Sequence, residues 1–363
     1  MPFSMLKIDG SYLEGGGQIV RTALALSVLT QKAFTVDNIR KNRPEPGLKN
    51  QHLHGIHTLQ QLCGALVEGA RLGSSEISFY PKQIVKGQEI TVDVGTAGSV
   101  TLLLQSLLLP CIFSGKRFSV TIKGGTDVSW SPQYDYFANV VFPHFLRYGV
   151  GSIALRKRGY YPKGQGEVVL DVKKKILFDD IISGAVSLKP FSLTEQGTLV
   201  KIAGVSHASP DLASARVAER QSQAAFVQLQ KWKVPVEIIS SYSQSASTGS
   251  GIALWAIFTG RSEDVDSIDP VRVGADVLGA QGKRAETVGE ECALQLNATL
   301  ISGAPADKYL ADQLIPLLGI VGGEIRVHEI TNHTLTNIYV TEQFLDVKFE
   351  VDKNLKFIKA SKK

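Results

Sequence analysis

Apolar and polar positions change period several times along this chain, and the changes mark its elements. Met5–Asp9 alternates as a short strand, meets the glycine-rich stretch Gly10-Ser11-Tyr12-Leu13-Glu14-Gly15-Gly16-Gly17, and gives way to a helical period over Gln18–Leu29. A strand over Phe34–Ile39, a Pro44-Glu45-Pro46-Gly47 turn and a helix from Asn50 to Gly69 follow; that helix carries Leu53, Ile56, Leu59, Cys63, Leu66 and Val67 on one apolar stripe. The order then recurs: a strand over Gln88–Val94, the small-residue loop Gly95-Thr96-Ala97-Gly98-Ser99, a buried helix over Val100–Leu109, a strand near Phe118–Ile122 and a helix around Tyr134–Tyr148. After residue 280 a third pass has helices opening at Gly282–Glu286 and at Tyr309, and strands over Glu324–Thr331, Leu335–Val340 and Val347–Val351. His333 falls between two of these strands, at a strand end or turn.

Three units of strands plus two helices predict an α+β body with internal repetition. Between residues 184 and 279 the rhythm differs: a strand over Leu199–Ala203, a helix over Pro210–Trp232, and strands over Val236–Ser240 and Ile252–Thr259 read as a small α/β insert. The predicted division is therefore a large repeat domain, 1–183 with 280–363, and an inserted domain, 184–279. Ser240–Gly251, rich in serine and glycine, reads as a mobile hairpin loop.

Composition narrows the class. The 44% hydrophobic and 20% charged content is that of an ordinary globular protein, and no apolar run approaches the roughly 20 residues that span a bilayer. Met1–Ser4 has no basic start leading to an apolar core, so no secretion signal is read and a cytoplasmic protein is expected. Cys63, Cys111 and Cys292 stand far apart in apolar surroundings, which points to buried thiols and not to a disulfide framework or zinc site. A homodimer is compatible with the sequence, which fixes no oligomeric state. The net charge of +5 suits an anionic substrate without requiring one. Clustering says more: Arg21, Arg40, Lys41, Arg43 and Lys49 lie close together, and Arg156, Lys157, Arg158 and Lys163 form a second group; a solvated surface is the competing explanation for each.

Candidate chemistry sits on the loops. A glycine-rich loop between strand and helix lets backbone amides approach an anion, although this one has neither the Walker ending nor the GxGxxG spacing. Arg21, one turn into the helix, can share that anion, and Glu14 offers a carboxylate to a divalent ion or caps the loop. Tyr309-Leu310-Ala311-Asp312-Gln313 places an aromatic face, a carboxylate and an amide on neighbouring turns, a set that suits a purine nucleotide; a helix start with Asp near the positive dipole end is the alternative. Gln105 is an amide in an otherwise apolar helix, so it bonds a buried backbone group or faces a ligand.

In order along the chain, EGGGQIVRTALALS, NIRKNRPEPGLKNQHL, GTAGSVTLLLQ, RGYYPKGQGEV, YLADQL and NHTLTNIYV resemble the RNA 3′-terminal phosphate cyclases over nearly the whole length, the insert matching weakly. One departure is Gln165, where the family pattern usually has glycine. The resemblance implies a large domain of three repeats similar to the C-terminal domain of a translation initiation factor, and a small inserted domain of thioredoxin-like topology. It also implies the reaction: a histidine attacks the α-phosphate of ATP and releases pyrophosphate, AMP passes to the RNA 3′-phosphate, and the 2′-hydroxyl displaces AMP to leave a 2′,3′-cyclic phosphate.

Residue by residue, the resemblance makes His333 the nucleophile, in the setting His333, Leu335, Thr336, Asn337. It makes Tyr309, Leu310, Ala311, Asp312 and Gln313 the adenosine contact, with Gln105 facing the nucleotide and Pro132 as a second wall. Arg21, Arg40, Arg43 and Gln51 would handle phosphate and RNA, Glu14 would hold Mg²⁺ or Mn²⁺, and His52 lies in a family motif near phosphate. Expected partners are ATP and RNA with a 3′-phosphate end, with no membrane. Two rivals remain: a noncatalytic cyclase-like factor of ribosomal RNA processing, and an enolpyruvyl transferase, which builds two three-repeat halves around a cleft.

Overall fold

A computed structural model describes residues 5–84, 86–95, 97–173, 176–259 and 270–363. Thr96 of the small-residue loop and Met1–Ser4 lie outside these described residues. The first unit runs β1 (Leu6–Asp9), α1 (Gln18–Thr30), β2 (Phe34–Asp37), α2 (Asn50–Cys63), β3 (Leu66–Glu68) and β4 (Ile77–Tyr80). The second runs β5 (Gln88–Asp93), α3 (Val100–Phe113), β6 (Phe118–Gly124), a composite helix made of α4 (Tyr134–Tyr136), a π turn (Phe137–Val141) and α5 (Phe142–Phe145), then β7 (Val150–Lys157) and β8 (Gly166–Lys173). After α6 (Phe178–Ile182) and β9 (Phe191–Leu193) come β10 (Thr198–Ala208), α7 (Val217–Leu229), β11 (Val236–Tyr242), β12 (Ser250–Thr259), β13 (Val271–Leu278) and α8 (Ala285–Ser302). The chain closes with α9 (Lys308–Val321), β14 (Gly323–Arg326), α10 (Asn332–Phe344), β15 (Val347–Asp352) and β16 (Phe357–Lys362).

Three of the four sheets are copies of one plan. Their orders are β1-β2-β4-β3, β5-β6-β8-β7 and β9-β14-β16-β15, so each sets its strands first, second, fourth, third. In each the first two strands are parallel and the other pairings antiparallel. The parallel pair needs a helical crossover, which α1 and α3 supply. In the third copy the crossover between β9 and β14 holds the fourth sheet, β11-β10-β12-β13, as well as α9. Helix Ala285–Ser302, expected to open the third unit, packs on α7, β12 and β13 of that fourth sheet. The α+β architecture of repeated small mixed sheets is thus present.

Several boundaries differ from the pattern reading. The helix from Asn50 stops at Cys63 because Gly64 takes a left-handed φ of 66° as its C-cap, and Leu66–Glu68 then joins a sheet. The strand expected over Glu324–Thr331 spans only Gly323–Arg326, and the strand expected over Leu335–Val340 is the body of helix α10. The Ser/Gly loop after β11, read as mobile, is bonded at both ends: Ser243 N–H donates to the Ala208 carbonyl at 3.0 Å, and at the far end the Thr248 hydroxyl donates to Asp211 at 2.5 Å, Gly249 N–H to Ser209 at 3.1 Å and Lys163 N–H to Ser247 at 3.1 Å.

Helices α1, α3, α9 and α10 pack on one another in the centre of the body. Their facing side chains, among them Ile19, Leu104, Leu314 and Val340, are fully buried. This core brings the starts of α1 and α10 side by side, which is what places residues 14–43 against residue 333.

Candidate active site

Helix α10 starts at a polar knot. The Thr331 hydroxyl accepts the Thr334 N–H at 3.1 Å while the Thr334 hydroxyl accepts the Thr331 N–H at 3.3 Å, a reciprocal capping box. Both hydroxyls donate to Asp312 Oδ1, at 2.8 and 2.5 Å. Asn337 donates to the Asp312 carbonyl at 2.7 Å and accepts the Thr22 hydroxyl at 2.9 Å, so α1, α9 and α10 are tied together one turn behind His333. This capping chemistry is why Leu335–Val340 is helical: Thr-x-x-Thr performs the job of the more familiar Ser/Thr-x-x-Glu, although Thr336, Ile338, Tyr339 and Val340 are residue types that favour strands. His333 therefore lies in the first turn of a helix, not at a strand end.

Gln18, the first residue of α1, fixes the ring. Its Oε1 hydrogen-bonds His333 Nδ1 and its Nε2 donates to the His333 carbonyl at 3.2 Å. The two bonds together orient the amide and assign the proton to Nδ1, leaving the lone pair on Nε2. Nε2 lies 3.4 Å from Glu14 Oε2, and the ring is 44% exposed. Burial holds the His333 pKa below its usual value; Glu14 opposes that, while Arg21 and Arg43 add to it. A neutral imidazole with a free, accessible nitrogen is the nucleophilic form.

The glycine loop packs tightly against α2. A Cβ at Gly17 would sit 2.0 Å from His52 Nε2, so only glycine fits there. His52 Nδ1 accepts the Lys49 N–H at 2.9 Å, which puts its proton on Nε2; burial, Arg21, Arg40 and Lys49 push its pKa down to about 3. Around it stand Arg21, whose pKa is pushed down to about 10 by burial and by Arg40, then Arg40, lowered by burial and by Arg43, and Arg43. Arg40 donates to the Glu45 carbonyl at 3.2 Å, and Arg43 pairs with Glu14 at 3.0 Å. The Nε atoms of Arg21, Arg40 and Arg43 and the Nε2 of His52 are buried without a protein partner. Four buried donors, three on cations that repel one another, fit a polyanion and nothing neutral. Gln51 stands beside them, half-buried on the first turn of α2.

Glu14 Oε2 is paired with Arg43 at 3.0 Å and lies 3.4 Å from His333, so it would hold a divalent ion only by giving up Arg43, with phosphate oxygens and water completing the one-carboxylate set. A denser trio, Asp127, Asp135 and His207, also has ligand atoms within 4.8 Å of one another. There Arg158 already fills the role of cation, bonding Asp127 at 3.1 Å and Asp135 at 2.6 Å, so that trio is an internal ion-pair network.

From His333 a cleft of about 500 Å³ runs between α3, α9 and the loop 128–133. Gln18, Arg21, Gln105, Pro132, Tyr309, Asp312, Gln313 and His333 all line it. Tyr309 is 43% exposed, with its ring open to the cleft. Gln105 donates to Gln313 Oε1 at 2.9 Å, and Gln313 donates to the Tyr309 carbonyl at 3.1 Å. Leu310 and Ala311 turn the other way and are fully buried in the core, as the helical period requires of residues next to 309 and 312. Asp312 is also committed to the threonine knot, and burial pushes its pKa up to about 7. The cap of α9 is Asp307, which accepts from the N–H groups of Tyr309 and Leu310, both at 3.0 Å.

Sequence reasoning passed over Gln18, Thr331, Thr334 and Asp276. Gln18 could have been noticed as a polar residue opening an apolar helix directly after three glycines; Asp276, on β13, has no local signal at all. Among the described residues no helix is long and apolar enough to cross a membrane.

Comparisons with known proteins identify the family. The family model described as RNA 3′-terminal phosphate cyclase matches residues 12–351. The protein of that name from Pyrococcus furiosus is 46% identical over 348 residues, covering 96% of this chain and 95% of its own. Its counterpart from Pyrococcus abyssi is 44% identical, covering 96% and 95%, and that from Methanosarcina barkeri is 44% identical, covering 96% and 97%. With a family match spanning nearly the whole chain and relatives above 40% identity end to end, the chain belongs to the RNA 3′-terminal phosphate cyclase family.

Proposed function

We propose that this protein converts an RNA 3′-terminal phosphate to a 2′,3′-cyclic phosphodiester at the expense of ATP, through a covalent His333–AMP intermediate. The observation that carries the proposal is the placement of His333 Nε2. Its lone pair is free, because Gln18 takes the Nδ1 proton, and it opens between a base-sized cleft and a cluster of buried, unpartnered cationic donors.

In the first step Nε2 attacks the α-phosphorus of ATP; a P–N bond forms and the bond to pyrophosphate breaks. The start of α10 and the neighbouring start of α1 direct their positive dipole ends toward the same phosphates. Arg21, Arg40, Arg43 and the His52 N–H would bind the negative charge that builds on the leaving and entering phosphates. Glu14 would hold Mg²⁺ or Mn²⁺, which when bound neutralises phosphate charge. In the second step an oxygen of the RNA 3′-phosphate attacks the same phosphorus, the P–N bond breaks and the imidazole is restored. In the third the RNA 2′-hydroxyl loses its proton, attacks its own 3′-phosphate and expels AMP. Tyr309 and Pro132 would sandwich the adenine, with the Gln105–Gln313 pair at its edge.

The repeat pattern supports a large domain of three units, with the inserted unit entered after β9 and left before α9. The cytoplasm is the expected place of action.

Incubation with α-labelled ATP and Mg²⁺ tests the proposal. The chain should acquire label that is lost in acid and stable in alkali, the signature of a phosphoramidate, and His333→Ala should acquire none. Absence of label from the wild-type chain would sink the mechanism. Binding of RNA without label would favour the noncatalytic ribosomal RNA processing reading. The enolpyruvyl transferase reading is disfavoured by the single set of three like sheets among the described residues.

A further inference from the structure

The two walls assigned to the base, Tyr309 and Pro132, come from different repeats, and neither is bonded to the other directly. Each is held instead from one strand of the fourth sheet. Pro132 and Gln133 share a peptide unit that is pinned on both sides: its carbonyl accepts the Thr101 hydroxyl at 2.7 Å, and its N–H donates to Asp276 Oδ2 at 2.6 Å. The Gln133 side chain is held as well, its Oε1 bonding His207 Nε2 at 2.8 Å, while His207 Nδ1 bonds the Tyr160 hydroxyl at 2.8 Å. On the opposite wall, Asp307 Oδ1 caps the helix turn that carries Tyr309, and its Oδ2 accepts the Gly274 N–H at 2.9 Å. The Tyr136 hydroxyl adds a fourth bond to Asp307, at 2.6 Å.

Gly274 and Asp276 are two residues apart on β13, which among the described residues is an edge strand of the fourth sheet, paired with β12. A strand rises about 3.3 Å per residue, so the two anchor points are fixed at a separation that the strand itself sets. The approach is close: a Cβ at Gly274 would come 2.6 Å from Val140 and 3.0 Å from Tyr136. Asp276 in addition lines the cleft.

We propose that β13 of the inserted unit is the frame of the nucleotide-base slot, with Asp276 and Gly274 as positioning residues that set the gap between Pro132 and Tyr309. This gives the inserted unit a task in the reaction: it ties the loop 128–133 and the start of α9 to one strand, beside the direct bond from Tyr136 to Asp307. The proposal rests on the reading of the cleft as the ATP site. Because Asp276 acts on the slot and not on phosphorus, its loss weakens ATP binding and leaves the rate at saturation nearly unchanged. An unmade bond to a buried N–H corresponds to about a tenfold loss of affinity.

The test uses the full chain and two readouts, equilibrium binding of labelled ATP and the rate of self-labelling at saturating ATP. Asp276→Ala should raise the dissociation constant about tenfold with the saturating rate within about twofold of wild type. Asp276→Asn, which keeps an oxygen for the Gln133 N–H, should restore binding to within about threefold. Gly274→Ala, which leaves both carboxylates in place but forces β13 away from Tyr136, should also weaken binding, and serves if Asp276→Ala does not fold. Unchanged ATP affinity in folded Asp276→Ala or Gly274→Ala overturns the frame, as does a fall confined to the saturating rate. If the wild type binds ATP but takes no label, the histidine mechanism fails while the frame is still decided by the dissociation constants. If the wild type binds no ATP, both fail.

Discussion

The two ends of the cleft solve opposite problems. At the end proposed to take phosphates, Arg21, Arg40, Arg43 and His52 bury donors that no protein group answers, and the three guanidinium charges oppose one another. At the base end nearly the reverse holds: Gln105 bonds Gln313, Gln313 bonds Tyr309, Asp307 caps α9, and the Pro132–Gln133 peptide is held on both faces. One end is a rigid mould whose polar groups are satisfied before a ligand arrives. The other stores unfavourable desolvation and repulsion that only a polyanion relieves. A flat aromatic base needs shape, which internal bonds provide; a phosphate needs unspent donors, which internal bonds would consume.

The comparison is broken most sharply at Gly17. A methyl group there collides with His52, so Gly17→Ala should displace the loop that carries Glu14 and cut self-labelling by roughly a hundredfold. The affinity for adenosine should hardly change, since the base end is separately supported; an equal loss for adenosine would show that the two ends are not independent.

Next in size are Arg40→Ala and Arg43→Ala. Each should reduce use of RNA ending in a 3′-phosphate by up to about a hundredfold, and self-labelling by much less. Equal loss in both steps would move these arginines to the ATP phosphates. Pyrophosphate should raise the melting temperature of the wild type and do so less in either variant, because binding to the folded state alone stabilises it.

At the base end, Tyr309→Ala should raise the half-saturating ATP concentration about tenfold and Tyr309→Phe should not, the stacking face being what matters. Growth of the effect at saturating ATP would instead give Tyr309 a part in the chemical step.

The last effect, on stability alone and not on catalysis, is a pH slope at the knot behind His333. Asp312 has a folded pKa of about 7 against an ordinary 3.8, so its neutral form is favoured by folding. That contribution is fully present below pH 3.8 and is lost as pH rises through 7. Relative to Asp312→Asn, which keeps an oxygen for Thr331 and Thr334, wild-type stability should therefore fall between pH 4 and 8, by at most about 1.4 kcal/mol per unit. Thermal melts of both proteins across that range measure it; a parallel pair of curves would mean that Asp312 is ionised in the fold.

The sequence alone determined the chemistry-bearing segments and the repeated architecture. Glycine triplets, the arginine cluster, YLADQ and His333 are local features, and strand and helix periods are local as well, so both survive in one dimension. It misjudged α10, because Thr336, Ile338, Tyr339 and Val340 are strand-favouring residue types and the Thr331–Thr334 box lacks the usual acidic partner. It also treated Tyr309–Gln313 as one contact, whereas the helix turns Leu310 and Ala311 into the core.

Only the tertiary structure decided which segments meet. Gln18 and His333 are bonded across 315 residues, and Gln133 and Asp276 across 143. No periodicity carries such information, because those pairings follow from how the helices of three repeats pack around a shared core and where an inserted strand lies against it. The sequence singled out His333; the fold chose its tautomer, the arginines that surround it and the strand that lies against its cleft.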